Sequence, residues 1–248
     1  MVNGADFVSR RPARIPEGRR VYAVGDIHGR IDLLLRIQAL IQEDAASAQG
    51  LQLVLVYLGD YVDRGPLSNR VLDRLIEKPV NGMQTIHLQG NHEAMMLDFA
   101  AGTSSLGWLM NGGVETLASY GVDLDHAWPS EAVLADLRTR LRRALPATHL
   151  RFLTELTLMH MEGDYVFVHA GIRPGRPLEL QEAQDLLWIR EPFLGKPRDD
   201  GLCVVHGHTI SGRPEVLAHR IGIDTGAFFS DRLTCAVLEG NRVRFLQT

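Results

Sequence analysis

One local pattern occurs three times in the first half of the chain, and it limits the possible folds more than any other feature. In each copy an apolar stretch runs into a turn that pairs glycine with aspartate or asparagine, and apolar residues three and four apart follow the turn. The stretches and turns are 21–24 with GDIHG (25–29), 51–58 with GDYVDRG (59–65) and 83–88 with GNHE (90–93). Short apolar runs indicate strands and the spaced residues indicate helices, so the pattern predicts an α/β fold.

The remainder of the sequence divides into a helical part and a strand-rich part. Between about 102 and 150 leucines recur at helical spacing, and we expect this mostly helical segment to cover one side of the functional site. After it, short apolar stretches predict strands up to the last residues of the sequence. Because no long linker separates these parts, residues 19–248 are predicted to form one domain, preceded by a basic flexible tail over 1–18.

Composition and charge disfavour several classes of function. A chain of 248 residues with 45% hydrophobic content can bury a substantial core. The formal net charge of -4 provides no overall basic field, so nucleic acid is not expected as a main partner. No stretch approaches the roughly 18 apolar residues of a membrane span, and we expect no membrane association. Cys203 and Cys235 are far apart within apolar runs, which predicts buried thiols and a cytoplasmic location.

Side chains of the metal-ligand type occupy all three turns. Asp26 and His28 are two residues apart, so on extended backbone both side chains point to one side and can share a cation. A carboxylate has two oxygens, and Asp60 can therefore bridge two cations. Neutral ligands for a second cation follow at Asn91, His169 and His208. Each turn alone is ordinary turn chemistry, but three such turns followed by two strand-ending histidines indicate a metal site.

The ligand types also limit the identity of the metals. No cysteine lies in these motifs, and mixed oxygen and imidazole ligation suits manganese, iron or zinc better than calcium or a soft metal. Two divalent cations exceed the charge of the carboxylates Asp26 and Asp60 by two, which matches a phosphate dianion. We therefore expect two divalent metal ions, with manganese as the first choice, and a phosphoester substrate.

The three turns, together with the later histidines in HAG (169–171) and HGHT (206–209), resemble the pattern of the phosphoprotein phosphatase family. The stretches GNHEAMM, WLMNGG and LLWIRE are similar to phage-lambda-type and related bacterial serine/threonine protein phosphatases. The resemblance spans Gly25 to Thr209 and implies a calcineurin-like fold, in which helices flank two packed β-sheets. The chain departs from eukaryotic members, which carry HGG in place of HAG.

The resemblance also implies a role for each matched residue. It assigns the first metal to Asp26, His28 and Asp60, and the second metal to Asp60, Asn91, His169 and His208. It assigns phosphoryl binding to Arg64 and to Arg190 of LLWIRE, and protonation of the leaving group to His92, held in place by Asp63. The implied reaction is direct attack on phosphorus by a water molecule that bridges the two metals.

Residues beside the motifs receive more modest predictions. Glu93 is expected to stabilise a helix N-terminus without a catalytic role. His87 and His206 precede matched residues closely enough to be donors around the metal ligands. Asp224 is interpreted either as such a supporting residue or as an ordinary turn aspartate before Gly226.

The sequence leaves the substrate open between two enzymatic alternatives and one non-enzymatic one. WLMNGG and GNHE favour a phosphoserine or phosphothreonine protein, hydrolysed as a phosphomonoester. The alternative substrate is diadenosine tetraphosphate or another dinucleoside polyphosphate, whose hydrolases share the metal core but usually carry GNHD. A non-catalytic phosphopeptide-binding module would predict loss of His92 or Arg64, and both are present. The oligomeric state is left open as well.

Overall fold

The structure is a computed structural model that describes residues 13–77, 80–103, 106–124, 129–197 and 200–248. Its strands are β1 (Arg19–Val24), β2 (Gln52–Tyr57), β3 (Gln84–His87), β4 (Met159–Glu162), β5 (Tyr165–Val168), β6 (Cys203–His206), β7 (Glu215–Val216), β8 (Arg220–Gly222), β9 (Thr234–Glu239) and β10 (Arg242–Gln247). Its α-helices are α1 (Ile31–Ala45), α2 (Ser68–Glu77), α3 (Asn91–Ala101), α4 (Leu106–Trp108), α5 (Val114–Ser119), α6 (Glu131–Ala144), α7 (Ala147–Thr154), α8 (Ala183–Trp188) and α9 (Ala227–Ser230). A kinked turn (Leu109–Gly113) joins α4 to α5, and a 3-10 turn (Leu178–Leu180) precedes α8.

The strands form two sheets, with the orders β10-β9-β1-β2-β3 and β4-β5-β6-β8-β7. In the first sheet β1 pairs parallel with β2, and β2 pairs parallel with β3, so the carboxyl ends of these strands lie at one edge. The turns GDIHG, GDYVDRG and GNHE follow these three strands and therefore leave the sheet at the same edge. In the second sheet β5 and β6 are also parallel, and the HAG and HGHT histidines follow them. The predicted α/β fold with two sheets and flanking helices is confirmed.

The core consists of layers on both faces of the first sheet. Along β1, Val21 and Ala23 belong to the buried cluster between the sheets, which Phe167 of the second sheet joins. The alternate residues Tyr22 and Val24 belong to the cluster beneath the helices. Successive side chains of a strand point to opposite faces, and here both faces are covered, so the strand is apolar at each of these positions.

The predicted flexible tail over 1–18 includes residues that are packed in the folded domain. Ala13 and Ile15 are buried in the cluster between the sheets. The Ile15 N–H donates to the Gly240 carbonyl at 2.8 Å, and the Asp164 N–H donates to the Arg14 carbonyl at 3.0 Å. Residues 13–18 therefore belong to the folded domain, because two apolar side chains extend its core. Residues 1–12 lie outside the described residues.

The described part of the 102–150 segment contains α4 to α6 and the start of α7. Leu134, Leu137 and Leu141 form the buried face of α6, which packs against α3. Further along, the strand-rich part includes β7 and β8, which pair as an antiparallel hairpin. Within the described ranges, no helix has the length and apolar character needed to cross a membrane.

Candidate metal centre and active site

The turns at the sheet edge hold strained backbone where the predicted site residues lie. Among the described residues, six that are not glycine have a left-handed φ, and five of these are predicted site residues. They are His28 (47°), Asp60 (52°), Asp63 (71°), Arg64 (66°) and His208 (60°). Such backbone costs on the order of 1–3 kcal/mol per residue and persists only where the surroundings fix it. The strain therefore marks the edge of the first sheet as a functional site.

Glycines let the three turns approach one another backbone to backbone. A Cβ atom on Gly65 would lie 2.0 Å from the His28 carbonyl oxygen, which joins GDYVDRG to GDIHG. A Cβ atom on Gly90 would lie 2.1 Å from Oδ1 of Asp60, which joins GNHE to GDYVDRG. Any side chain at these two positions would separate the turns. The close approach brings their polar side chains into one buried cluster.

The four predicted ligands of the second metal lie close together. The His169 Nδ1–H donates to the Leu58 carbonyl at 2.9 Å, so the Nε2 atom of this neutral ring carries a lone pair. This Nε2 atom lies 2.8 Å from Oδ1 of Asn91 and 3.4 Å from Oδ1 of Asp60. Nδ1 of His208 lies 2.9 Å from the same Asn91 oxygen. The four residues are brought together as predicted.

The protonation state of these histidines indicates which kind of ligand the cluster can bind. Burial lowers the pKa of His169, and burial together with His169 lowers the pKa of His208 to about 3. The neutral imidazole lone pair of His169 thus faces amide and carboxylate oxygens, which are acceptors as well. Acceptors do not satisfy one another, whereas a divalent cation among them satisfies all of them. The donor set therefore fits a metal ion.

The first metal's predicted ligands are brought together only in part. The His28 Nδ1–H donates to the Val62 carbonyl at 2.8 Å, and Nε2 of His28 lies 3.5 Å from Oδ2 of Asp60. The third member of this metal-sized group is His92, whose Nε2 atom lies 3.9 Å from the same oxygen. Asp26 is not in the group. Its carboxylate accepts the His208 backbone N–H at 3.1 Å.

Asp26 is turned towards another buried carboxyl group. Asp224 lies close enough to Asp26 for the two side chains to affect each other's pKa, and its Oδ1 atom accepts the Gly226 N–H at 2.9 Å. Burial, then Asp224 and Asp60, raises the pKa of Asp26. Of the two interpretations of Asp224, the structure favours a supporting contact to a predicted ligand over a turn residue alone.

Asp60 lies between the two groups and faces each with a different oxygen. Its Oδ1 atom lies towards His169, and its Oδ2 atom lies towards His28 and His92. Burial alone would raise the pKa of Asp60, but the three histidines outweigh it and lower the pKa well below its usual range. Asp60 is thus an ionised carboxylate in the geometry that a bridging ligand requires.

The predicted arginines lie beside the cluster in different ways. Nη1 of Arg64 is 3.1 Å from Nε2 of His28, and its guanidinium lies over the Phe228 ring, 4.9 Å from the centroid. The Arg64 backbone N–H donates to the Gly112 carbonyl at 3.1 Å. Arg190 follows α8 on the exposed surface and helps to lower the pKa of His208, which indicates that its charge lies close to the cluster.

Asp63 and His92 form a buried pair. The His92 Nδ1–H donates to Oδ2 of Asp63 at 2.7 Å, as the resemblance implied. Burial would lower the pKa of His92, but Asp60 and Asp63 outweigh it and raise the pKa. The raised pKa favours the doubly protonated ring over its ordinary balance, and Nε2, the nitrogen not bonded to Asp63, faces Asp60.

Glu93 does more than the sequence indicated. It is fully buried, and Oε2 accepts the backbone N–H groups of Asp60 and Gly90, each at 2.9 Å. Its Oε1 atom accepts those of Tyr61 at 2.7 Å and Val62 at 3.2 Å. One carboxylate thus holds the Asp60 turn against the start of α3. The available signal was a glutamate three residues after a glycine that precedes a helix, which is typical of a capping box.

The two histidines expected as donors around the metal ligands make other contacts. His87 stacks on Tyr57 at 5.3 Å between ring centroids and contacts Phe152 on the helix side of the sheet. His206 bonds to the Gly207 carbonyl through Nδ1 at 3.0 Å and packs against Phe193. Neither of these contacts is to a ligand side chain.

Comparison with known proteins identifies the family to which this fold belongs. The sequence profile described as calcineurin-like phosphoesterase matches residues 19–246. The chain is 34% identical over 227 residues to serine/threonine-protein phosphatase 1 of Salmonella typhimurium, covering 89% of this chain and 93% of that one. It is 27% identical to the asymmetrical bis(5'-nucleosyl)-tetraphosphatase PrpE of Bacillus mycoides, covering 85% and 87%.

A solved structure shares the fold at lower sequence identity. The crystal structure of the cold-active protein-tyrosine phosphatase of a psychrophilic Shewanella species aligns with a TM-score of 0.59 at 19% identity, covering 91% of this chain and 77% of that chain. Together with the profile match over nearly the whole sequence, these similarities show that the chain belongs to the calcineurin-like metallophosphoesterase family.

Proposed function

We propose that this protein is a metal-dependent serine/threonine protein phosphatase that hydrolyses phosphomonoesters directly, without a covalent intermediate. Asp60, Asn91, His169 and His208 would hold one metal ion, and Asp60 and His28, with Asp26 beside them, would hold a second. The donor set suits manganese, iron or zinc. The chemistry expected from such a pair of ions is a water molecule whose pKa is lowered towards about 7 for attack on phosphorus.

The observation that carries this proposal is the buried pair of Asp63 and His92 beside the ligand cluster. Asp63 fixes one ring nitrogen of His92 at 2.7 Å, which leaves Nε2 directed at the site, where we assign it the role of proton donor. A proton donor accelerates departure of a strongly basic oxygen, such as the alkoxide of serine or threonine. The phosphoanhydride of a dinucleoside polyphosphate releases a weakly basic oxygen and gains less from it. The pair therefore supports an alcohol phosphomonoester as substrate.

Arg64 is a second feature that supports the proposed function. Its guanidinium is close to the His28 side of the cluster, where it is suited to bind equatorial phosphoryl oxygens and to stabilise the charge that develops on them. We assign the same role to Arg190 on the His208 side. Both arginines would act equally on any phosphomonoester, because they contact the phosphoryl group and not the leaving group.

An open groove beside Arg64 supports a peptide as the rest of the substrate. The groove has a volume of about 730 Å³, and its apolar lining includes Met110, Ile210 and Phe228. Arg64 is the one basic side chain among its described lining residues, which also include the acidic Glu115. This surface suits a peptide chain with apolar side chains better than the polyanionic half of a dinucleoside tetraphosphate.

Hydrolysis of dinucleoside polyphosphates is the second candidate, since relatives such as the Bacillus mycoides tetraphosphatase align over most of the chain. A single substrate panel separates the candidates. It compares phosphoserine and phosphothreonine peptides, diadenosine tetraphosphate and a phosphodiester under one manganese concentration. We expect the highest kcat/KM with a phosphopeptide. Faster turnover of diadenosine tetraphosphate would overturn the proposal, and tight phosphopeptide binding without turnover would favour the non-catalytic alternative.

A further inference from the structure

We propose that Trp108 and Thr116 are positioning residues for the leaving-group acid. In this proposal they fix the carboxylate of Asp63, and Asp63 in turn fixes the ring of His92. The inference deepens the proposed function and rests on it, because it assumes that His92 donates a proton. Neither residue was assigned a role from the sequence, although Trp108 lies in the WLMNGG stretch.

The Asp63 carboxylate is held on both oxygens. The side chain is fully buried, and Oδ2 accepts the Trp108 Nε1–H at 2.8 Å in addition to the His92 Nδ1–H. Oδ1 accepts the Thr116 hydroxyl at 2.7 Å. A carboxylate bonded through one oxygen can rotate about its Cβ–Cγ bond, whereas donors on both oxygens fix its plane. The donors thereby set the direction in which His92 points.

Thr116 is itself fixed by further bonds. Its hydroxyl proton is used by Asp63, so its oxygen accepts from the Asp63 backbone N–H at 2.8 Å and from the Ser68 hydroxyl at 2.9 Å. Thr116 thus contacts both the backbone and the side chain of Asp63. These contacts join α5 to the start of α2 around Asp63, whose φ is left-handed at 71°.

The kinked turn between α4 and α5 leaves room for the Trp108 ring. A Cβ atom on Gly113 would lie 2.6 Å from the Trp108 indole, so this position must lack a side chain for the ring to pack there. Phe99 contacts the other part of the ring, with 4.8 Å between centroids. Gly112, with a φ of 101°, turns its carbonyl to accept the Arg64 N–H at 3.1 Å. The backbone is therefore kinked at Gly112, between the Trp108 bond to Asp63 and the Thr116 bond to Asp63, and the kinked turn itself contacts Arg64.

The test is a double-mutant cycle that combines Trp108→Phe with His92→Asn. Phenylalanine keeps most of the ring packing and removes the N–H donor. We expect Trp108→Phe to lower kcat for phenyl phosphate about 10-fold with little change in KM, because misaligned proton donors are inefficient. For p-nitrophenyl phosphate, whose leaving group needs little protonation, the loss is expected to be much smaller. In the His92→Asn background, Trp108→Phe should cause no further loss with either substrate.

A second pair of variants probes Thr116 without altering the aromatic packing. Thr116→Val removes the hydroxyl and should reproduce the selective loss for phenyl phosphate, whereas Thr116→Ser keeps the hydroxyl and should restore the rate. Thr139→Val is a matched control, since the Thr139 hydroxyl on α6 bonds to the Ala135 carbonyl at 2.9 Å, away from the site. Bound metal is measured for every variant to separate positioning from metal loss.

The outcomes distinguish this proposal from the proposed function. Equal losses for both aryl phosphates, or the same loss with and without His92, would mean that Trp108 and Thr116 support only folding or metal binding. Selective losses together with failure to hydrolyse phosphopeptides would uphold the positioning role and overturn the protein phosphatase assignment. A wild-type protein with bound metal that hydrolyses no phosphomonoester would overturn both.

Discussion

Replacing Glu93 by glutamine tests whether one buried carboxylate holds the Asp60 turn in its strained conformation. Each Glu93 oxygen accepts two of the four surrounding backbone N–H groups. The two distances to Oε2 are both 2.9 Å, and the two distances to Oε1 are 2.7 and 3.2 Å. Glutamine offers one acceptor oxygen and one NH2 donor. In either orientation the NH2 group would face two N–H donors, so two hydrogen bonds are lost.

The expected magnitude follows from the number and type of these bonds. Hydrogen bonds to a charged group contribute about 1.5–3 kcal/mol each, so the loss of two predicts a decrease of about 3–5 kcal/mol in the free energy of unfolding after some relaxation. Burial and the neighbouring Asp60 raise the pKa of Glu93 to about 7. The comparison is therefore made at pH 8, where the wild-type carboxylate is ionised.

The assay is urea unfolding of both proteins in the presence of a chelator, so that differences in metal binding do not contribute to stability. Glu131→Gln is the matched control, because Glu131 is an exposed glutamate in the first turn of α6. It should change the free energy of unfolding by less than about 0.5 kcal/mol. A Glu93→Gln protein as stable as this control, with an unchanged m-value, would refute the proposed clamp.

Three further results are expected. Chelation should abolish phosphoester hydrolysis and manganese should restore it, whereas full activity after verified metal removal would exclude a metal-dependent reaction. Arg64→Ala should lower kcat/KM to a similar degree for a phosphoserine peptide and for p-nitrophenyl phosphate, and a loss confined to one of them would contradict phosphoryl binding. Asp44 accepts hydrogen bonds from Arg20, Tyr22 and Arg244, and these bonds outweigh burial and lower the pKa of Asp44. The contribution of Asp44 to stability is therefore present above the ordinary pKa of aspartate and is lost as the pH falls below that value. Asp44→Asn should therefore cost about 1–2 kcal/mol at pH 7 and less at pH 3 by urea unfolding, and an equal cost at both pH values would contradict the ion pairing.

The sequence predicted the parts of the site that depend on strand order and residue type. Parallel strands that end in polar turns place their side chains at one edge, and this is enough to gather Asp60, Asn91 and His28. The histidines after β5 and β6 were predicted from the same logic, and the second sheet brings them to Asn91.

Other features depend on tertiary contacts that local pattern does not encode. The shared cation of Asp26 and His28 stays a prediction, whereas the left-handed φ of His28 and the approach of Asp224 to Asp26 from a distant part of the sequence could not be predicted from their spacing. Glu93 matched a helix-capping pattern, which explains only its bond to Gly90 and not those to the Asp60 turn. For residues 13–18 the tail prediction was wrong, because two apolar residues within a basic, proline-containing stretch are too few to show that they extend a core.

The central claim is that a ligand cluster bridged by Asp60 performs the chemistry while His92 serves as a proton donor and not as a ligand. Its most direct test measures bound metal and hydrolysis of a phosphoserine peptide together in Asp60→Asn and His92→Asn. Asparagine supplies a single oxygen, so Asp60→Asn should lose metal and activity together. His92→Asn should retain both metals yet lose about 10²–10⁴-fold in kcat. Since His92 lies within metal-ligand distance of His28 and Asp60, a His92→Asn protein that lacks metal would contradict the account.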